Sequence, residues 1–305
     1  MDDVAAAPDR DGLVLEPWLG TRVRCYPGRP RTIVELLAHA IARFPDRCCL
    51  VTPEGNVTYR EFGELVEDAA ARLLEEGFER GDRIAVCLRN GLDIAVAIWA
   101  CARAGLILVA LNTRLRPPQW QYMLGHCGAR LALAHPEHLD DLRRAAQAAG
   151  LPASAVLPVG DRFHGAGKQW DEARPFPDED ATYAVIYTSG TTGRPKASRI
   201  VHRCTIHSAI AYVRSLALTG DDRSAISFPL YYITAHIAQI APLMLVGGCC
   251  VTVAEFDAAL YVRLLREQRI SYMMVVPTIW PLLLRQDEFR AATLPHVTIG
   301  AFGGS

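Results

Sequence analysis

The sequence has almost no net charge: 32 Lys and Arg stand against 33 Asp and Glu, a balance of −1 over 305 residues. Without a basic surplus there is no electrostatic case for nucleic acid or an anionic membrane surface as partner. An unbroken apolar run is also missing. The nearest approach is "ITAHIAQIAPLMLVGGCCVTV", Ile233 to Val253, which His236, Gln239, Pro242 and the Gly247-Gly248 pair interrupt. Spanning a bilayer takes about twenty consecutive apolar residues, so no membrane span is expected. The stretch reads as a buried helix, a glycine turn and a buried strand. The opening "MDDVAAAPDRDG" has no apolar core and is no secretory signal; a frayed start is expected. The nine cysteines are odd in number and none is in C-x-x-C spacing. The adjacent pairs Cys48-Cys49 and Cys249-Cys250 cannot easily bridge within themselves. Reduced, mostly buried thiols in a cytoplasmic protein are expected. The histidines have no metal-ligand spacing either, which argues against zinc.

What is present is an ordinary globular balance, with 50% hydrophobic and 21% charged residues. The length exceeds one comfortable core and suggests two domains or subdomains. Thr32 to Glu35 and Thr58 to Glu61 both have capping-box spacing, and apolar residues at helical intervals follow each. From Gly81 the rhythm is strand, helix, strand: "RIAVCL", "LDIAVAIWACARAG", "LILVAL", "PPQWQYMLGHCG", "ARLALA", "PEHLDDLRRAAQAAG". Apolar strands without polar alternation, joined by helices, predict an α/β fold whose parallel sheet is covered on both faces. Residues 157–181 are rich in Gly, Pro and charge, and mark a connecting segment. The expected division is an N-terminal extension over 1–30, a first α/β subdomain over 31–175 and a second over 176–305. The second opens with the strand "YAVIY" and the loop behind it.

That loop, "YTSGTTGRPKAS" from Tyr187 to Ser198, carries the chemistry. Wrapping phosphates takes close backbone N–H groups, hydroxyl donors and a cation. Gly190 and Gly193 permit close approach; Thr188, Ser189, Thr191 and Thr192 supply hydroxyls; Lys196 supplies a mobile charge on an arm stiffened by Pro195. The Gly-x-x-Gly-x-x-Lys spacing is not that of a Walker loop, and dinucleotide-binding glycine spacing fails too. A solvated hydroxyl-rich turn is the competing reading.

"YTSGTTGRPK" closely resembles the phosphate-loop signature of the adenylate-forming superfamily: acyl-CoA synthetases, luciferases and peptide-synthetase adenylation domains. "TYREFGELVEDAAARLLEEGFERGDRIAVCLRNG", "ACARAGLILVALNTRLRPPQWQYML", "FPLYYITAH", "PLMLVGG", "VVPTIWPLLL" and "FGGS" follow the family's landmarks in order. Leu111 to Leu115 favours the acyl-CoA-synthetase branch, and the resemblance covers about residues 30 to 305. It implies stacked, mostly parallel sheets flanked by helices, and a place in acyl or fatty acid metabolism. The implied activity is activation of a carboxylic acid by ATP with Mg2+ to an acyl-adenylate, then transfer to coenzyme A or a carrier thiol. By the same resemblance Thr188, Ser189, Gly190, Thr191, Thr192, Gly193 and Lys196 hold the phosphates, with Lys196 and Thr188 catalytic and Thr188 also a Mg2+ contact. Gly303, Gly304 and Ser305 begin the segment lining the acyl and adenine sites.

The match departs in three places. Ala197-Ser198 follow the Lys where the family often has Gly and an apolar residue. Tyr231-Tyr232 replace the family's aromatic-His pair, and His236 follows four residues later. This predicts an altered acid pocket of Tyr232, Thr234 and His236, with Tyr232 and His236 on one helix face; packed tyrosines and a core histidine are the bland alternative. Finally, the family's later Glu-bearing motif, ribose-binding Asp and C-terminal-domain Lys have no counterpart, so the chain is expected to be a fragment, truncated on its C-terminal side. The competing functional expectation is a non-catalytic nucleotide- or acyl-binding remnant.

Overall fold

The structure is a computed structural model and describes residues 12–163, 168–188, 195–289 and 294–303. Chain order begins with β1 (Val14–Trp18), β2 (Thr21–Cys25), α1 (Ile33–Arg43), β3 (Cys48–Thr52), β4 (Gly55–Thr58) and α2 (Tyr59–Glu75). It continues with β5 (Arg83–Cys87), α3 (Leu92–Arg103), β6 (Ile107–Ala110), α4 (Pro117–Cys127), β7 (Leu131–Ala134), α5 (Pro136–Ala148) and β8 (Val156–Pro158). Then come β9 (Thr182–Thr188), β10 (Lys196–Val201), α6 (His202–Leu216), β11 (Arg223–Ile226), α7 (Ile233–Ala235), a π-turn (His236–Ile240) and α8 (Ala241–Val246). The last elements are β12 (Cys249–Thr252), α9 (Ala258–Glu267), β13 (Tyr272–Val275), α10 (Trp280–Leu284) and β14 (Ile299–Phe302).

Both capping devices form as the spacing predicts. Thr32 accepts from the Glu35 N–H, and Thr58 and Glu61 cap each other's backbone. Gly128 closes α4 at φ 63°, a left-handed conformation that a β-carbon resists.

Two six-stranded sheets result, ordered β10-β9-β6-β5-β7-β8 and β14-β13-β11-β12-β3-β4, with β1-β2 as a separate hairpin. Most pairings are parallel; β9–β10 and β3–β4 are antiparallel edges. The side-chain alternation of each strand divides the core. Ile84 and Val86 of β5 face a central cluster with Leu50, Ile226 and Tyr272 of the other sheet and with α1, α2, α3, α6 and α8. Ala85 and Cys87 face the opposite way, onto α4 and α5. On the far side Ala225, Val251 and Met273 pack on α9. The sheets are therefore stacked on a shared helical layer and covered outside by further helices, which agrees with the expected α/β class.

The division expected at 175/176 does not separate the sheets. β9 and β10 join the sheet of β5 to β8, while β3 and β4 join that of β11 to β14. Apolar runs specify that a segment is a strand; they carry no label for the sheet it enters. The hairpins β1–β2 and β3–β4 and the strand β10 were also absent from the sequence reading, because their apolar residues are few or their runs short.

The β1–β2 hairpin, inside the expected N-terminal extension, is anchored by Glu16. Its carboxylate meets Arg29 at 2.7 Å, Arg31 at 2.7 Å and Arg203 at 3.0 Å. The hydrogen bond from Arg29 is the main cause that holds the Glu16 carboxyl at about 2. Nearby, His202 at the start of α6 is buried, stacks on Tyr183 at 4.9 Å and accepts the Ile33 N–H at 3.4 Å. Burial holds its pKa at about 3, and pushes that of His236 down as well. Below pH 6.5 the unfolded chain takes up protons that these folded imidazoles refuse, so stability falls as pH falls. The expected slope is about 1.4 kcal/mol per pH unit for each buried imidazole. It should precede the loss at Glu16, which starts as pH falls through the ordinary carboxylate value of 4.5 and continues down to about 2. Urea midpoints between pH 6.5 and 4.5 test this: His202→Gln should visibly flatten the slope, and an unchanged slope would refute it.

Candidate functional site

The parallel pairing of β6, β5, β7 and β9 sends all four carboxyl ends to one side of their sheet. In open α/β sheets, this is the side on which ligands sit. The phosphate-loop sequence emerges there as the connection between β9 and β10. Thr188 closes β9, Lys196 opens β10, and the two are opposite each other in the antiparallel register. Both side chains are exposed, and among the described residues no carboxylate is within ion-pair reach of Lys196. The base of this hairpin is firm: Tyr187, the preceding residue, is buried, and its hydroxyl meets His126 Nδ1 at 2.8 Å and donates to the Met123 carbonyl at 3.2 Å. Ser189, Gly190, Thr191, Thr192 and Gly193 lie outside the described residues, as do Gly304 and Ser305.

β6 pairs with β9 through Ala110 and Ile186. Asn112 lies two residues past this paired end, on the side of the sheet where Thr188 closes β9. Asn112 is held from three sides. Its Oδ1 accepts the Arg114 N–H at 2.9 Å, its carbonyl accepts Trp120 Nε1 at 3.0 Å, and its Nδ2 donates to the Tyr232 hydroxyl at 3.3 Å. Tyr232 is thereby held at the carboxyl end of β6, and its ring lies 4.8 Å from that of Tyr231.

The second sheet ends on the same side. Asn90, just after β5, donates Nδ2 to the Phe228 carbonyl at 2.9 Å and accepts the Leu230 N–H at 2.7 Å. One amide thus staples the carboxyl end of β5 to the segment following β11. Asn90→Ala should leave the Leu230 N–H, on a fully buried residue, without this partner. A loss of about 1–3 kcal/mol is expected in urea unfolding. Asn90→Asp should not recover it, since a carboxylate faces the Phe228 carbonyl.

The expected acid-pocket group separates. Tyr232 is in extended backbone (φ −109°, ψ 145°) ahead of α7, so it shares no helix face with His236. Thr234 is half-buried in the first turn. His236 is buried, and its Nε2 is 2.8 Å from the Leu230 carbonyl. The π-turn that begins at His236 also changes the helical spacing. Gly303 follows β14, donates to the Val275 carbonyl at 3.2 Å, and has Met274 Cε 3.3 Å from where a β-carbon would stand. Asn90 and Asn112 had no role in the sequence reading. Their signal was position: each is an Asn one to three residues past an apolar strand.

Among the described residues no cluster of three His, Cys, Asp or Glu could hold a metal. Thr188 offers one exposed hydroxyl, so Mg2+ fits here only as an ion carried largely by phosphate oxygens. A cleft of about 440 Å³ between Tyr26, α1 and α6 lies elsewhere and includes none of these residues.

A match to the AMP-binding enzyme family covers residues 37–305. The chain belongs to this family. Membership bears out the resemblance carried by "YTSGTTGRPK". Among curated AMP-binding relatives, a sulfoacetate–CoA ligase of Cupriavidus necator is 30% identical, matching 85% of this chain and 52% of its own length. A 2-succinylbenzoate–CoA ligase of Bacillus licheniformis is 29% identical over 77% of this chain and 47% of its own. The chain spans about half the length of the curated relatives it matches. ATP-bound MatB from Rhodopseudomonas palustris superposes with a TM-score of 0.76 at 23% identity, covering 88% of this chain and 54% of that one. MenE from Bacillus subtilis, in complex with an acyl-adenylate, gives 0.76 and 23%, covering 88% and 68%. These two likenesses support the stacked α/β fold.

Proposed function

We propose that this AMP-binding enzyme takes part in ATP-dependent activation of a carboxylic acid to an acyl-adenylate, followed by thioester formation with coenzyme A. The observation that carries this reading is the hairpin register, which sets Thr188 and Lys196 opposite each other at the carboxyl end of the sheet. Asn112 and Tyr232, hydrogen-bonded to each other, lie past the carboxyl end of the neighbouring strand β6. In the proposed reaction the acid's carboxylate oxygen attacks the α-phosphorus and pyrophosphate leaves. Charge grows on the leaving group, where the Lys196 ammonium and the Thr188 hydroxyl stabilise it. Bound Mg2+ would supply further charge neutralisation at the phosphates. Tyr232, held by Asn112, would face the acid. Thiol attack on the acyl-adenylate carbonyl then releases AMP.

Acid-dependent pyrophosphate release from ATP, assayed over a panel of mono- and dicarboxylic acids and followed by CoA thioester formation, tests the reading. ADP as product would overturn it. The competing reading is nucleotide or acyl binding without turnover. Saturable ATP binding with no pyrophosphate release would select that reading.

A further inference from the structure

The four cysteines of the two adjacent pairs, which the proposed reaction leaves unused, meet across two strands. β3 and β12 are parallel neighbours, registered through Leu50 with Cys250 and Val51 with Val251. An irregularity between Cys48 and Leu50 interrupts the β3–β4 register. Cys49, Leu50 and Cys250 all enter the central core. Cys48 instead stays half-buried and reachable from solvent, with its sulfur 3.5 Å from that of buried Cys249. Continuing the β3–β12 register sets Cys49 level with Cys249, so Cys48 reaches Cys249 on the diagonal, and the two sulfurs need to close by only about 1.5 Å to reach disulfide bonding distance.

The surroundings set the two thiols apart. The Cys249 S–H donates to Cys48, and this hydrogen bond is the main cause that lowers the Cys48 pKa to about 6. The Arg223 guanidinium of β11 adds attraction, and its own recorded hydrogen bonds go to the carbonyl and side chain of Gln268. The same hydrogen bond, with burial, raises the pKa of Cys249. The other groups that face the pair are Cys49, Cys250 and Tyr59, each pushed up by burial. One thiol is therefore an accessible nucleophile and its neighbour a protonated partner, the arrangement of a peroxide-reactive cysteine with a resolving cysteine.

We propose that Cys48 and Cys249 form a reversible redox site, in which Cys48 is oxidised by a hydroperoxide and Cys249 resolves it to a disulfide joining β3 to β12. The Cys48 thiolate attacks a peroxide oxygen and the O–O bond breaks. Hydroxide leaves, and Cys48 becomes a sulfenic acid. The Cys249 sulfur then attacks the Cys48 sulfur, the S–O bond breaks, and the departing hydroxide takes the Cys249 proton. Two thiols and one hydrogen peroxide give one disulfide and two waters. A small-molecule thiol reverses the step by exchange.

The test treats the folded chain with hydrogen peroxide, then alkylates, digests and maps the thiols by mass spectrometry. The expected result is loss of two thiols and a peptide pair linked through Cys48 and Cys249, restored by dithiothreitol. Under native conditions Cys48 should be alkylated about tenfold faster than the exposed Cys204 at pH 7, with a midpoint near pH 6. Arg223→Gln should move that midpoint upward. Cys249→Ser, checked for native circular dichroism, should stop the link and leave a Cys48 sulfenate that dimedone traps. Oxidation of Cys48 with Cys249 still a free thiol in the unmutated chain, or no sulfenate at Cys48 in Cys249→Ser, would overturn the proposal.

Discussion

Lys196→Ala is expected to lower acid-dependent pyrophosphate release by about 10²–10³-fold, the range for removing one donor aimed at developing charge. Lys196 is exposed at the head of an edge strand and opposite Thr188. It contributes nothing to the core, so unfolding midpoints should stay within about 0.5 kcal/mol of the unmutated protein. The loss should fall mainly on kcat, because the ammonium meets more charge as pyrophosphate departs than in bound ATP. Lys196→Arg should recover only part of the rate, since a planar fork cannot follow a moving phosphate as a point charge does. Thr188→Val should cost less than Lys196→Ala, as one neutral donor is lost. A Lys196→Ala protein with unchanged kcat would remove Lys196 from the proposed mechanism while leaving the fold intact.

Arg103→Leu is expected to destabilise the fold by about 3 kcal/mol, the lower end of the cost of breaking a buried ion pair, because Glu67 keeps Arg174 as a second partner. Arg103 of α3 and Glu67 of α2 are 0% and 2% exposed, with Nε to Oε2 at 2.8 Å. The remaining guanidinium nitrogens donate to the carbonyls of Arg174, at 3.0 Å, and Asp171. Trp170 covers the cation at 4.5 Å, and Arg174 reaches Glu67 at 3.1 Å. One side chain thus ties α2, α3 and the connecting segment together. Glu67→Gln should cost less than Arg103→Leu, because an amide remains able to accept from the guanidinium. The pair Glu67→Leu with Arg103→Met should recover much of the loss, which a sum of the single effects would not allow. Urea unfolding near pH 7 decides this, and a cost below about 1 kcal/mol for Arg103→Leu would refute it.

Arg103 also marks a limit of sequence reading. In "LDIAVAIWACARAG" it stands at the end of an apolar helix, where a solvated cation is the ordinary expectation, and the segment 157–181 reads as a linker. That helix is buried all round, and the segment's backbone carbonyls satisfy the guanidinium. Such a pairing joins residues 71 positions apart, and no local pattern encodes it.

The same contrast holds at the site. The loop sequence that joins Thr188 to Lys196 was legible because it is long and contiguous. Asn90 and Asn112 were not, since each acts on residues over a hundred positions away. The expected helix face of Tyr232 and His236 failed because the chain is still extended at Tyr232, a boundary that apolar periodicity marks poorly.

Helix caps, buried strands and the family were thus determined by the sequence alone, because each rests on neighbours within a few residues or on a contiguous motif. The exchange of strands between sheets, the Asn90 staple, the Arg103–Glu67 pair and the approach of Cys48 to Cys249 were decided only by the tertiary structure. Each of these depends on which remote segments share a layer, and burying apolar faces selects that partnership only when the whole chain packs.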